Sequence, residues 1–200
     1  MKKLIFALMV CGLFATEASA QKEETIFGRS GLRLSGAWGG PQTMITRMGD
    51  DNALLNGGFG GLEFNKSVFI GWGAYRLEDN VRLMPQQDQL DMDYNGLILG
   101  FNLAAHKAVH ARAGVMGAFG DVGFKDGPND RIYVIQPSAG IEVNIFRWFH
   151  IELEGGYRFV DGVETEGIVD SDLSDIYGAI RFKFGWSWGR NRRYNRDADW

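Results

Sequence analysis

Cysteine is almost missing from this chain: the one it has, Cys11, falls inside the first twenty residues. There Lys2 and Lys3 precede an apolar run from Leu4 to Ala15, and Ala18-Ser19-Ala20 precedes Gln21, the three-part pattern of a secretory signal peptide. Val10 stands before Cys11 where a lipoprotein signal needs a small residue, so acylation is not expected. With residues 1–20 read as an address, the mature chain has no thiol, which excludes a disulfide framework and thiolate catalysis. Long hydrophobic runs are missing too. No stretch after the leader approaches about eighteen uninterrupted apolar residues, and the leader's own run is too short and wrongly flanked for a retained spanning helix. Any membrane reading therefore rests on strands. Basic charge is in short supply: without Lys2, Lys3 and Glu17 the 21 basic and 25 acidic residues become 19 and 24, a net charge of −5. Such a chain is a poor nucleic-acid ligand. Four prolines against 28 glycines suit one domain of many short strands better than disorder or collagen.

What the chain does have is alternation. In IQPSAGIEVNI, from Ile135 to Ile145, Ile141, Val143 and Ile145 alternate with Glu142 and Asn144. The same period of two recurs over eight segments, roughly 29–39, 53–64, 67–77, 93–105, 108–119, 131–145, 149–160 and 174–186. No segment carries a helical stripe. The connections are of two kinds in turn. Asn65-Lys66, His106-Lys107 and Phe146-Arg147-Trp148 read as tight turns, whereas 40–52, 78–92, 120–130 and 161–173 are long, polar and rich in Asp, Asn and Gly. The expected fold is all-β: an eight-stranded antiparallel up-and-down barrel over residues 29–186, with long loops at one end and short turns and both termini at the other. A segment 21–28 precedes it and a basic tail, 187–200, follows.

Alternation alone does not say which face points inward. A soluble barrel puts apolar side chains inside, while a lipid-embedded barrel inverts this. In the fourth segment Leu97, Leu99, Phe101 and Leu103 share a face opposite Gly96, Ile98, Gly100 and Asn102. In the seventh, Ile151, Leu153, Tyr157 and Phe159 oppose Glu152, Glu154, Gly156 and Arg158. The polar face is small and poor in lysine, which suits a crowded narrow lumen better than a solvated exterior. Trp38, Tyr133, Phe159, Phe184 and Trp186 stand near the ends of the apolar face, where interfacial girdles are expected. Apolar residues fall on both faces of GGFGGLEF and VFIGWGAY, so the orientation of those two strands stays open.

On this pattern, and on the aromatic-ended last strand YGAIRFKFGW, the chain resembles the small eight-stranded outer-membrane β-barrels, the group that includes the membrane domain of outer-membrane protein A and the OmpX-like proteins. The resemblance implies short periplasmic turns, long extracellular loops, and a bacterial outer-membrane location. Lipid is the implied partner, together with another envelope protein met through the loops or the tail. It implies a structural, porin-like or interaction role in the cell envelope. Its alternatives are a lipid A-modifying enzyme of the same fold and a soluble lipid-binding barrel. The chain departs from the family's usual form in continuing past the last strand with Arg190, Arg192, Arg193 and Arg196.

Within the lumen the sequence offers Arg33, Glu63, Arg76 and His110 besides a closer set: Arg112, Glu142, Glu152, Glu154, Arg158, Arg181 and Lys183. A tight turn at Arg147 sets Glu142 opposite Glu152 or Glu154, and opposed like charges need cations beside them. Arg112 on one neighbouring strand, and Arg181 and Lys183 on the other, supply these. A structural ion-pair network closing the lumen is expected, with no catalytic, cofactor or metal site. His106, His110 and His150 all fall near the tight turns, away from where an outer-leaflet lipid would be attacked, and no G-x-S-x-G is present. DSDLSD, Asp170 to Asp175, lacks the calcium-loop frame and reads as a solvated acidic loop. GGFGG lies within a strand and is no dinucleotide fingerprint. Pro137, without an N–H, predicts a bulge or a distorted bond in a barrel that has no free edge.

Overall fold

The structure, a computed structural model, describes residues 32–49, 51–78, 89–125, 127–165 and 167–188. The expected signal peptide, the expected 21–28 segment and the expected tail from Gly189 onward lie outside the described residues. Among the described residues there are nine strands: β1 (Leu34–Met48), β2 (Asp51–Phe64), β3 (Val68–Leu77), β4 (Leu90–Leu103), β5 (Val109–Phe124), β6 (Asn129–Phe146), β7 (Phe149–Tyr157), β8 (Phe159–Asp161) and β9 (Ile176–Ser187). β7 and β8 are two lengths of one wall strand, parted at Arg158, so the wall has eight strands. Each pairs antiparallel with its neighbours, and the β1–β9 and β5–β6 pairings close the sheet on itself.

The pairing also fixes the stagger of the closed wall. Stepping across partners from Gly36 leads through Glu63, Phe69, Gly100, Gly114, Ser138, Gly156 and Tyr177 to Thr46, ten residues farther along β1. An eight-stranded wall of this kind has strands tilted by about 35–45° and an interior that side chains fill.

Six of the eight expected strands lie close to their expected places; the other differences have local causes. β1 runs on to Met48 and pairs with β2 back to Asp51, so the expected loop 40–52 is largely wall. β5 and β6 likewise extend beyond the apolar part of the pattern and shorten the expected loop 120–130 to residues 125–128. Gly39-Gly40-Pro41 resembles a strand end, and Pro41 does cost the ladder a donor: β1–β9 pairing skips from Gly39↔Phe184 to Gln42↔Arg181. Pairing with β2 continues through Pro41↔Gly58 and keeps the strand whole. Pro137 behaves in the same way. Ser138↔Gly156 and Ile135↔Phe159 flank a gap in the ladder, yet the register is unchanged across it. Of the two alternatives expected at Pro137, the bulge is absent and the ladder is interrupted instead, with the break on the facing strand at Arg158. At the opposite end, Asn65 (φ 52°) and Lys66 (φ 60°) both take the left-handed conformation that a two-residue hairpin turn requires.

Orientation of the two ambiguous strands is now fixed. Leu55, Phe59 and Glu63 of β2 and Phe69, Tyr75 and Leu77 of β3 point inward, while Leu62, Ile70 and Trp72 are exposed outside. Around the wall the exposed set is apolar, including Leu97, Leu99, Phe101, Ile141, Leu153 and Phe184. Of the expected girdle, Tyr133, Phe159, Phe184 and Trp186 are outside. Trp38 is not: it is 3% exposed and faces the lumen, because β1's inward phase runs through Trp38, Gln42 and Met44.

The interior divides by height. Toward the loop end it is apolar, built from Met48, Leu55, Met92, Val122, Ile132 and Val160. The segment after β8 covers this end, with Ile168 and Leu173 buried against the core and a single helical turn, α1 (Asp170–Leu173). DSDLSD is thus a cap as well as an acidic loop. Asp170 accepts a hydrogen bond from the Val163 N–H, Asp172 from the Val169 N–H, and Asp175 pairs with Arg47 at 3.0 Å. Asp130 adds a tie by accepting from the Glu164 N–H and the Thr165 hydroxyl. Toward the turn end the interior is charged.

Candidate functional site

Four adjacent wall strands, β5, β6, β7 and β9, supply the anions and cations of the charged half. β6 and β7 pair Glu142 with Glu152 directly, as the turn at Arg147 requires, and Glu154 follows one inward step higher. β9 sets Arg181 opposite Glu152, with Lys183 one inward step below, and Arg112 comes from β5 on the other flank of β6. Glu152 is the centre. It lies 2.8 Å from Arg112, 3.0 Å from Arg181 and 3.7 Å from Lys183, and its side chain is fully buried. Arg181 also meets Glu154 at 2.9 Å, and Lys183 donates to Glu142, which lies 3.6 Å from Arg112. Three cations and three carboxylates interlock, so the cluster carries no net formal charge. At this depth an unbalanced charge would be costly.

Opposite this cluster the inner wall offers aromatic faces. Arg112 lies 5.3 Å from the centre of the Phe69 ring and Arg181 5.6 Å from Phe59, within the range of cation–π attraction. Lys183 lies 5.9 Å from Trp38. The guanidinium of Arg181 also donates through Nε to Gln42 at 2.9 Å, which ties β9 to β1 through the lumen.

Six of the seven expected network residues meet in this cluster, and Arg158 does not. It sits at the ladder gap opposite Pro137, fully buried near the apolar cap, and donates from Nε to the Leu173 carbonyl at 2.8 Å. Its role is to hold the cap segment. Arg33 and Arg76 are exposed, not in the lumen, and Arg76 lies 3.7 Å from Asp91. Glu63 is buried and accepts hydrogen bonds from the Ser35 and Ser187 hydroxyls. Sequence reasoning missed Gln42, which lay in the supposed first loop. His110, expected in the lumen, is buried there 3.9 Å from Glu142. His150, read only by its place near a tight turn, faces Glu142 at 2.7 Å across the β6–β7 pair, and the inward phase of β7 would have indicated it.

Between the cluster and the turn end lies a vestibule of about 750 Å³, lined by residues including Trp38, Glu63, Asn102, His110, Asn144 and Ser187. Trp38 lies against His150 with ring centres 4.2 Å apart and ring planes tilted by 35°. Among the described residues no group of three or more His, Cys, Asp or Glu could hold a metal ion.

A closed eight-stranded antiparallel wall with an apolar outside and charged groups buried inside is the fold of the small outer-membrane barrels. Solved structures share it. The crystal structure of the N-terminal β-barrel domain of Pseudomonas aeruginosa OprF aligns with TM-score 0.55 at 11% identity, covering 76% of this chain and 98% of that one. The crystal structure of Neisserial surface protein A aligns with TM-score 0.59 at 8% identity, covering 79% and 99%. No protein-family model and no curated sequence matches the chain.

Proposed function

We propose that the protein is a bacterial outer-membrane barrel with a non-catalytic, structural or interaction role in the envelope, its lumen closed by the ion-pair cluster and the apolar cap. The observation that carries this reading is the inversion of the wall. Leu97, Leu99, Phe101, Ile141 and Leu153 are each more than two-fifths exposed, while Glu152 and Lys183 are at most 1% exposed. An exposed apolar band this extensive is unfavourable in water and matches hydrocarbon. Lipid is then the partner of the wall, and the loops or the C-terminal tail are where an envelope protein would be met. Closure is supported by the strand number, since eight strands leave an interior that side chains fill. Catalysis on outer-leaflet lipid has no support in the placement of the two buried histidines, which both face Glu142 at the turn end.

The test is fractionation together with conductance. The protein is expected in the outer-membrane fraction, with a folded band whose gel mobility changes only on boiling, and reconstituted planar bilayers should stay at baseline current at all voltages. Recovery in the soluble fraction would remove the membrane reading. Stable stepwise currents would remove the closed lumen.

A further inference from the structure

One buried cation of the lumen has no anion to meet. Arg112, Arg181 and Lys183 are balanced by Glu142, Glu152 and Glu154. Arg158, above them, is fully buried, and among the described residues no carboxylate lies within ion-pairing distance of it. A guanidinium presents five N–H donors and no acceptor. Here Nε donates to the Leu173 carbonyl at 2.8 Å, while neither Nη1 nor Nη2 has a hydrogen-bond partner among the described residues. A buried charge without a counter-charge, holding donors without acceptors, is costly. The fold keeps it nonetheless, at the level where the charged half of the interior gives way to the apolar cap.

The side chains around it add donors. The Tyr94 hydroxyl stands beside the guanidinium. It donates to the Met44 Sδ at 3.8 Å, and Gln136 Nε2 donates to the same sulfur at 3.7 Å. A thioether is a weak acceptor, yet two buried donors converge on this one. Tyr75, its ring centre 5.5 Å from that of Tyr94, has a buried hydroxyl with no partner among the described residues. Gln136 Oε1, an acceptor, is unpartnered too, and taking one N–H of the guanidinium would leave most of the others without one. Donors that converge on one point, beside an uncompensated positive charge, describe the surroundings of a single-atom anion. A carboxylate or a phosphate needs more room than a packed layer gives. Thioether sulfur is close to a chloride ion in size, and the unbranched methionine side chain has three rotatable bonds that let it yield. Met44 Sδ thus occupies the position that an anion would take.

We propose that the mid-lumen is a halide site: a chloride ion, taken up as the barrel closes, displaces the Met44 thioether and accepts from Tyr94 and Gln136 beside the Arg158 guanidinium. The ion supplies the negative charge that Arg158 otherwise lacks, and it lets one guanidinium join the cap segment to the far wall of the barrel. This goes beyond a closed structural barrel, and either claim can fail without the other.

Because the cap covers this layer, the ion is best offered during refolding. The chain from Gln21 onward is refolded from urea into micelles in sodium gluconate, with millimolar bromide replacing part of the gluconate at constant ionic strength. Each tenfold rise in bromide above its dissociation constant should add the same increment of stability, read as a later urea midpoint. Arg158→Met should remove that dependence. Tyr94→Phe, which keeps the charge and the ring, should raise the apparent bromide dissociation constant several-fold. Met44→Ala should lower it several-fold, because the thioether no longer competes. If Arg158→Met does not refold, these two variants still decide the matter by moving the constant in opposite directions. Crystals grown in bromide should show a bromine anomalous peak among Met44, Tyr94, Gln136 and Arg158. A wild-type midpoint indifferent to bromide would overturn the proposal, as would one dependence shared by all variants, or bromide found at the surface only.

Discussion

Replacing Glu152 by Gln should cost about 3–5 kcal/mol of folding free energy, the range for breaking a buried ion pair by removing one partner. The side chain keeps its shape, but Arg112, Arg181 and Lys183 would then share two carboxylates where they now share three. Urea titration in lipid vesicles, followed by the heat-modifiable band, reads the loss as an earlier midpoint. A companion pair separates desolvation from attraction. Lys183→Met and Glu142→Leu should each destabilise, and the double replacement should destabilise by less than the sum of the two, since it leaves no lone charge at that contact. Additive losses would mean that the two side chains do not share an interaction.

The second large effect is on the outer wall. Leu99→Arg places a cation on the exposed face of β4, in the middle of the run Leu97 to Leu103. In a bilayer, arginine at mid-depth on the outer surface of a barrel costs about 2–4 kcal/mol. In water the same change would cost little and would improve solubility. The expected result is a clear drop in stability in vesicles. A neutral outcome would mean that Leu99 does not face hydrocarbon.

Both predictions rest on an assignment of faces that was legible in most of the sequence. β4 and β7 alternate large apolar residues with small or charged ones, so strand, phase and inversion could all be read from them. β2 and β3 were opaque for a physical reason. Their inner faces meet the cations of the opposite wall, and they meet them with Phe59 and Phe69 instead of carboxylates. An aromatic side chain suits that position as well as it suits lipid, so polarity does not separate the faces there.

The rest was hidden by long-range pairing. Whether Gly39-Gly40-Pro41 ends a strand depends on what lies beside it, and β2 carries the strand past the proline. That extension brings Gln42 to Arg181, a contact between residues far apart in sequence. Arg158 was misplaced through a similar coupling. The proline at 137 opens the ladder on the neighbouring strand, and the buried guanidinium there serves the Leu173 carbonyl instead of a carboxylate. Trp38 shows that an aromatic near a strand end need not be a girdle residue: only the phase of β1, set by its pairing, turns it inward onto His150.

Single cysteines along β4, spin-labelled in a chain from Gln21 onward, which has no other cysteine, and reconstituted in liposomes, test the inverted wall most directly. Collision with oxygen marks hydrocarbon, and collision with a water-soluble nickel chelate marks solvent. Labels at Leu97, Leu99 and Phe101 should collide freely with oxygen and not with nickel, while labels at Ile98 and Asn102 should be shielded from oxygen. Nickel access at 97, 99 and 101, with the even positions buried, would show a barrel standing in water and would contradict the account.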